Sequence, residues 1–363
     1  MNIVIEKTET PQKTNFDFVD TIRCISMMGI VLEHCGIVPP NHYNNQLDSL
    51  FETSIIQLFK FSTIAFFLIG GFLINHKFQE YTPFQYLRNR FKKTIKPWLF
   101  WIFMLIMLSV LDRYIAHRRG SEMGLIGSDF FLYFYETFIR IVLISPYWFI
   151  LNFLICITIL LLFKRYLYSI WLGLILAFFS LFYSINIYQG WIATTHTTAI
   201  FGFVFYLWLG VYFNEFYDRI MSIVKATSWF KILLLALITF CIAVGESTYI
   251  NSIGLTDAYN TLRISNIIYS LVMFALLLKV GSLPWLRKNL RPRETTFGIY
   301  LIHVIIIDRG LPLIFQPLKL NFLEFSVWLN TGILLFRFLT TYIVSFFLTK
   351  VINKTKMKWM VGN

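Results

Sequence analysis

The chain has 363 residues, of which 57% are apolar, 19% aromatic and only 14% charged, with a formal net charge of +13. Soluble domains average about half apolar and about a quarter charged residues, so this composition excludes an ordinary soluble protein and points to membrane spans of about 20 residues each. The positive charge admits either nucleic acid or an anionic membrane surface as partner, and the placement of the basic residues decides between them.

The first twenty residues are polar, contain Pro11 and lack the basic-then-apolar layout of a cleavable leader. The expectation is therefore a retained cytoplasmic tail over 1–19, with the first span acting as an internal signal anchor. Apolar stretches predict ten spans, at 20–38, 55–76, 96–112, 147–163, 166–185, 197–214, 230–247, 262–281, 295–316 and 326–350. Segment 129–145 carries Glu136 and Arg140 and reads as an amphipathic helix at the interface rather than as an eleventh span. The fold class is thus all-α, a polytopic membrane protein with both termini cytoplasmic and a tail over 351–363.

The basic residues support that arrangement. With the N-terminus inside, Lys7, Lys13, Lys77, Arg88, Arg90, Lys92, Lys93 and Lys96 lie on the cytoplasmic side, as do Lys164, Arg165, Arg219, Lys225 and Lys231. The groups Lys279, Arg287, Lys288, Arg291 and Arg293, then Lys350, Lys354, Lys356 and Lys358, follow the same rule. The opposite loops near 39–55, 185–197 and 248–261 contain no Lys or Arg, and only 113–146 departs from the pattern. Positive charge concentrated inside is a topological signature and a lipid-contacting one, so nucleic acid is excluded as a partner and membrane lipids are expected. Cys24, Cys35, Cys156 and Cys241 fall in apolar stretches without metal-type pairing, which reads as small buried residues rather than disulfides or a metal site.

An ionisable side chain inside a bilayer costs roughly 2.5–3.5 kcal/mol on insertion scales, so each is a candidate for function. The first span holds Asp20, Arg23, Glu33 and His34. Arg23 and His34 are eleven residues apart, about three helical turns, which returns to nearly the same face with a rise of about 16 Å. Such a ladder suits a long anionic substrate, with phosphates held by guanidinium and a reactive end at the imidazole. The same spacing serves a structural role equally well, with Arg23 snorkelling to headgroups and His34 bonded to a neighbouring helix. In the ninth span His303 lies ten residues beyond Arg293, at a depth comparable to His34, and Tyr300 shares its face three residues earlier. The stretch YLRNRFKKTIKPW places Arg88, Arg90, Lys92, Lys93 and Lys96 in a cytoplasmic loop before Pro97, either as ordinary inside charge or as a phosphate-binding patch. There is no phosphate-binding glycine loop and no HExxH-type metal run.

The arrangement Arg23-x10-His34 resembles the membrane-bound acyltransferase-3 family. AFFLIGGFL at 65–73 looks like that family's FFxSGF stretch, SPYWFIL at 145–151 its WFL segment, VFYLWLG at 204–210 its FLLG run and TFGIYLIH at 296–303 its FGIYLIH element. The matches cover nearly the whole chain in the expected order, the first and last being the specific ones. The resemblance implies one ten-helix acyltransferase domain over 20–350, with cytoplasmic acyl-CoA, acetyl-CoA above all, as donor and no metal. It implies as acceptor a sugar hydroxyl on a surface polysaccharide or its lipid-linked precursor, in a bacterial plasma membrane, with a polysaccharide biosynthesis complex as a candidate partner. Arg23 is assigned to donor phosphates, and the family's RxxR motif falls on Arg90 and Lys93 with Arg88 beside it. His34 is assigned to catalysis, with Tyr300 or His303 as hydrogen-bond partner of the imidazole or the oxyanion. Lys93 stands in place of an arginine, Gly70 in place of a serine and Pro146 in place of a polar residue. Many relatives carry an extracytoplasmic hydrolase-like domain that is absent from this sequence, so transfer is expected to be direct or through a separate partner. Glu136, Arg140, Trp148 and His196 are the candidates for acceptor binding. A glycan-lipid transporter or flippase using Lys60, Glu246, Arg263, Asp308 and Arg337 is the alternative, with a glycan polymerase behind it.

Overall fold

The computed structural model describes residues 16–39, 42–120, 127–255 and 257–363, with the helical backbone alone for 76–80. The expected tail over residues 1–15 and the side chain of Lys77 therefore lie outside the described residues. The protein is all-helical, 81% helix and without strands among the described residues. In chain order come α1 (Asp17–His34), α2 (Gln46–Phe59), α3 (Ser62–Glu80), α4 (Pro83–Arg90) and α5 (Lys96–Arg118). Next are α6 (Ser128–Ile139), α7 (Trp148–Leu162), α8 (Ile170–Gln189), α9 (Ile200–Glu215) and α10 (Tyr217–Ala226). The last are α11 (Trp229–Ser252), α12 (Ile264–Val280), α13 (Pro284–Leu290), α14 (Pro292–Ile305), α15 (Leu311–Phe315) and α16 (Val327–Asn353).

Among the described residues, six helical stretches are long and apolar enough to cross a membrane, and three pairs bent by 62°, 89° and 95° bring the number to nine. Their outward faces carry large apolar side chains, such as Leu233 and Leu237 on α11 and Leu335 and Leu339 on α16, that only lipid accommodates over so wide a surface. Helix α1 stands outside the nine because Asp17, Asp20, Arg23 and Glu33 place four charges in its 18 residues.

Three boundaries differ from the sequence reading, and the first is the expected span 55–76, which starts at Gln46 within the loop expected near 39–55. The basic stretch expected as a loop is helical, within one run over Pro83–Arg118. It starts at Thr82, whose hydroxyl accepts from the Gln85 amide while the Gln85 side chain accepts from the Thr82 amide, with Pro83 in the first turn. Segment 129–145 is α6 plus a π-helical turn, bent by 62° against α7 as the first arm of a broken unit.

Each π-helical turn in the described chain precedes a proline. Phe91–Ile95 leads to Pro97, Arg140–Ile144 to Pro146 and Ile306–Gly310 to Pro312. A proline inside a helix has no N–H to give and its ring collides with the carbonyl four residues back, so the preceding turn widens. The widened turns carry Lys93, Arg140, Asp308 and Arg309.

Helix α1 packs against α2, α3, α12, α13, α14 and α16, which makes it the central element. The tightest seam is between α3 and α9. A Cβ on Gly71 would lie 1.9 Å from the Leu207 carbonyl oxygen, and one on Gly210 would lie 2.1 Å from that of Leu68. Backbones meet there through paired small residues, the way helices associate where lipid offers no hydrophobic drive. Two large apolar cores result, one around α3, α8 and α9 and the other around α1, α5, α14 and α16, beside a small third cluster of Ile187, Ile250 and Ala258. Phe66 and Phe149 touch both large cores. The functional cavity opens at that junction.

Candidate active site

A cavity of about 310 Å³ runs beside α1. Arg23, Met27 and Ile30 line it in helical steps of four and three, and His34 continues the same stripe. Its other walls are Phe66, Ile69, Gly70 and Leu73 of α3, Phe149 to Leu154 of α7, and Pro292 to Tyr300 of α14. Gly70, where the family pattern has serine, leaves room for the Phe153 ring, which a Cβ would meet at 2.6 Å.

The mouth of the cavity carries Arg23, Arg90, Lys93 and Arg293. Arg23 lies 3.6 Å from Asp20, a buried carboxylate whose main partner is Arg293, with Nε donating to its two oxygens at 3.0 and 2.8 Å. Arg287 pairs with Asp17 beside them, so the starts of α1 and α14 and the last turn of α13 are joined by charge. Arg90 donates from Nε to the Tyr86 hydroxyl at 2.8 Å, which fixes its direction. Arg88 is exposed and lies off the cavity, so the structure separates it from Arg90 and Lys93.

Farther along α1 and α14, beyond the residues that line the cavity, two imidazoles meet. The rings of His34 and His303 are 5.7 Å apart between centroids and inclined by 32°. His303 is fully buried, its Nδ1 lies 2.6 Å from the Tyr300 carbonyl, and its Nε2 has no partner. A carbonyl only accepts, so Nδ1 bears the proton and Nε2 of the neutral ring is left as an open acceptor. His34 is half-buried and makes no hydrogen bond with the described residues. Glu33 turns away from it to pair with Lys60 at the end of α2.

Tyr300 lines the cavity with its ring 5.6 Å from His303, but its hydroxyl donates to the Pro146 carbonyl rather than to an imidazole. The spacing puts Tyr300 and His303 on one face as expected. The length of the tyrosine side chain then carries its hydroxyl past the histidine to the start of α7, where the turn before Pro146 presents a carbonyl.

The acceptor candidates divide among three places. The Trp148 ring stacks on His196 at 4.4 Å, and His196 reaches Thr261 at 3.2 Å, with Glu33, His34 and Lys60 as its electrostatic neighbours. Glu136 is exposed on α6. Arg140 lines a second cavity, against Asp308.

Sequence reasoning used Arg293 and the last residues only as markers of topology, yet both belong to the mouth. Lys358–Val361 form a 3-10 turn folded back on α5, with Trp101 Nε1 donating to the Met360 carbonyl at 2.9 Å and Lys96 over the Trp359 ring. Val361, Gly362 and Asn363 then line the cavity. Gly362, at φ 81°, packs where a Cβ would strike the Phe297 ring. Arg293 had a readable signal, since it opens the helix that carries TFGIYLIH; the closing segment had none.

The layout offers a polycationic rim and an apolar shaft, with the imidazoles of His34 and His303 one turn beyond the last α1 residue that lines it. Among the described residues no three His, Cys, Asp or Glu side chains converge as metal ligands. A family model, acyltransferase 3, described as an acyltransferase domain, matches residues 16–350. Comparison with curated proteins and with solved structures gives no match.

Proposed function

Because the chain belongs to the acyltransferase-3 family and is thus a multi-pass membrane acyltransferase, we propose that it performs O-acyl transfer from cytoplasmic acyl-CoA, acetyl-CoA above all, to a hydroxyl of a cell-surface polysaccharide or its lipid-linked precursor. The observation that carries this reading is the stripe along α1, where a cavity with four cations at its mouth runs past Met27 and Ile30 and the His34–His303 pair follows one turn beyond Ile30. Phosphates of the donor bind Arg23, Arg90, Lys93 and Arg293 at the rim, and the pantetheine arm fits the apolar shaft past Met27 and Ile30. We read α1 together with the nine apolar candidates as ten spans, an even number that leaves both termini on one side, which this reading takes as the cytoplasm of a bacterium.

His34 acts as general base. It takes the proton of the acceptor hydroxyl as that oxygen attacks the thioester carbonyl, and the C–S bond breaks as the tetrahedral adduct collapses. The proton passes from the imidazolium to the departing sulfur, which leaves CoA as the free thiol and the acyl group as an ester. His303 holds its proton on Nδ1 and positions His34 by ring contact. Four of the five charges on which a transporter would depend are engaged elsewhere: Lys60 pairs with Glu33, Arg263 with Glu246, and Arg337 donates to the Cys35 carbonyl at 2.9 Å, which leaves Asp308.

General-base assistance is worth typically 10²–10⁴-fold. His34→Ala is expected to lower kcat for acyl transfer by that factor, with donor KM little changed and normal membrane expression. Acyl incorporation at the wild-type rate in this variant would refute the assignment.

A further inference from the structure

The second cavity, of about 560 Å³, lies between α5, the end of α6 and α14. Two of the widened turns face each other across it: one contributes Arg140, the other Asp308 and Arg309. Arg309 is committed to Asp112 and to the Ser109 hydroxyl at 3.1 Å. The side chains of Arg140 and Asp308 make no hydrogen bond with the described residues, although both line the space. Ser145 and Pro146 form its inner edge.

This cavity shares a wall with the first. Tyr300 lines one, Pro146 lines the other, and the hydroxyl of the first donates to the carbonyl of the second. Asp308 follows His303 by five residues, a rise of about 7 Å along the helix. The Tyr300–Pro146 hydrogen bond thus lies between the two spaces, with the His303 ring 5.6 Å from that of Tyr300.

Their charges differ in a way that separates their ligands. The mouth of the first sets Arg23, Arg90, Lys93 and Arg293 against the single carboxylate Glu294, as a polyanion requires. The second sets Arg140 and Arg309 against Asp112 and Asp308, which cancel. A neutral cavity with a free guanidinium and a free carboxylate repels no uncharged ligand and offers both donors and acceptors. That combination suits adjacent hydroxyls, each of which donates to a carboxylate and accepts from an N–H. Both side chains are exposed to this space rather than sealed inside the protein.

We propose that this cavity is the acceptor site and that it takes an uncharged polyhydroxylated group, a sugar ring, through Arg140 and Asp308. The inference rests on the acyl-transfer reading for the word acceptor, and on the cavity alone for the sugar.

Two photoreactive probes test it on the intact protein in detergent: a diazirine-bearing alkyl glucoside and an alkyl phosphate with the same chain. After irradiation, the glucoside is expected to label segments 133–146 and 308–309, and excess octyl glucoside should suppress that label at least tenfold. Asp308→Asn should weaken labelling, and Ile144→Trp, which fills the cavity from an exposed position without removing a polar group, should abolish it. Absence of competed label in these segments, or stronger labelling by the phosphate probe, which marks an anionic headgroup site, overturns the proposal. Acetyl-CoA cleavage measured on the same preparation keeps the two readings apart. Competed glucoside label without thioester cleavage leaves the sugar site standing and removes the acyl-CoA reading.

Discussion

Arg23 and Arg293 sit side by side at the cavity mouth, yet their removal has different consequences. Asp20 is 2% exposed and is held chiefly by Arg293, so losing Arg23 leaves that carboxylate paired. Arg23→Ala should therefore fold normally and raise donor KM by about 10–100-fold, as loss of a charge-assisted hydrogen bond worth about 1.5–3 kcal/mol requires. Arg23→Lys keeps the charge without the planar fork and should fall between. Arg293→Ala strands the buried Asp20 and draws Arg23 toward it, so both thermal stability and donor affinity should drop. Steady-state kinetics and thermal unfolding in detergent separate these cases; equal effects of the two alanine variants on stability would show that Asp20 does not depend on Arg293. The Arg23–His34 pair was legible in the sequence because helical periodicity alone aligns it. The approach of His303 to His34 was legible only as matching depth on two spans. The hydroxyl of Tyr300, the arginine at 293 and the closing segment take their places through tertiary contacts, which no local period encodes.

At the scale of helices, the glycines of the α3–α9 seam govern the cavity from behind. One face of α3 carries Phe66, Ile69, Gly70 and Leu73 into the cavity, and the seam with α9 sets how far that face stands from α1. Gly210→Ala would drive a methyl to 2.1 Å from the Leu68 carbonyl, a backbone atom that no side-chain rotation relieves. Overpacking of this kind typically costs 1–3 kcal/mol. A lower Tm and weaker donor binding are expected together. Gly245→Ala on α11, where nothing lies within 4 Å, is the control and should change neither. Equal responses from the two variants would mean the seam does not position the site. Apolar runs marked most helices to within a turn or so, because hydrophobic length is what a span requires. They missed the helical continuation through Arg88 to Lys96, where a capping box starts a polar helix. They also missed the widened turns, which arise from prolines whose effect on the preceding turn leaves no trace in hydropathy.

At the scale of the molecule, the two cavities impose an orientation as well as a chemistry. The polycationic mouth gathers residues from α1, the turn before α5, α14 and the segment after α16, so these must all open to one compartment. Helix α1 is the least apolar of the candidates, and its four charges are tolerable across a membrane only because neighbours satisfy them: Asp17 and Asp20 by arginines of α13 and α14, and Glu33 by Lys60. If α1 spans, the parity of the fold puts the first residues, Arg88 and Met357 together on the cytoplasmic side and Trp191 on the other. Single cysteines at Thr8, Arg88, Met357 and Trp191, placed in a Cys241→Ser background, report this with a membrane-impermeant thiol reagent. The remaining native cysteines are buried and should stay silent. In inside-out vesicles the first three should react and the fourth should not, with the reverse in right-side-out vesicles. Reaction of Thr8→Cys together with Trp191→Cys would mean that α1 does not cross. The mouth at Arg23 and the imidazole of His34 would then no longer lie at different depths of one bilayer, and the route from a cytoplasmic donor to the His34–His303 pair would have to be redrawn.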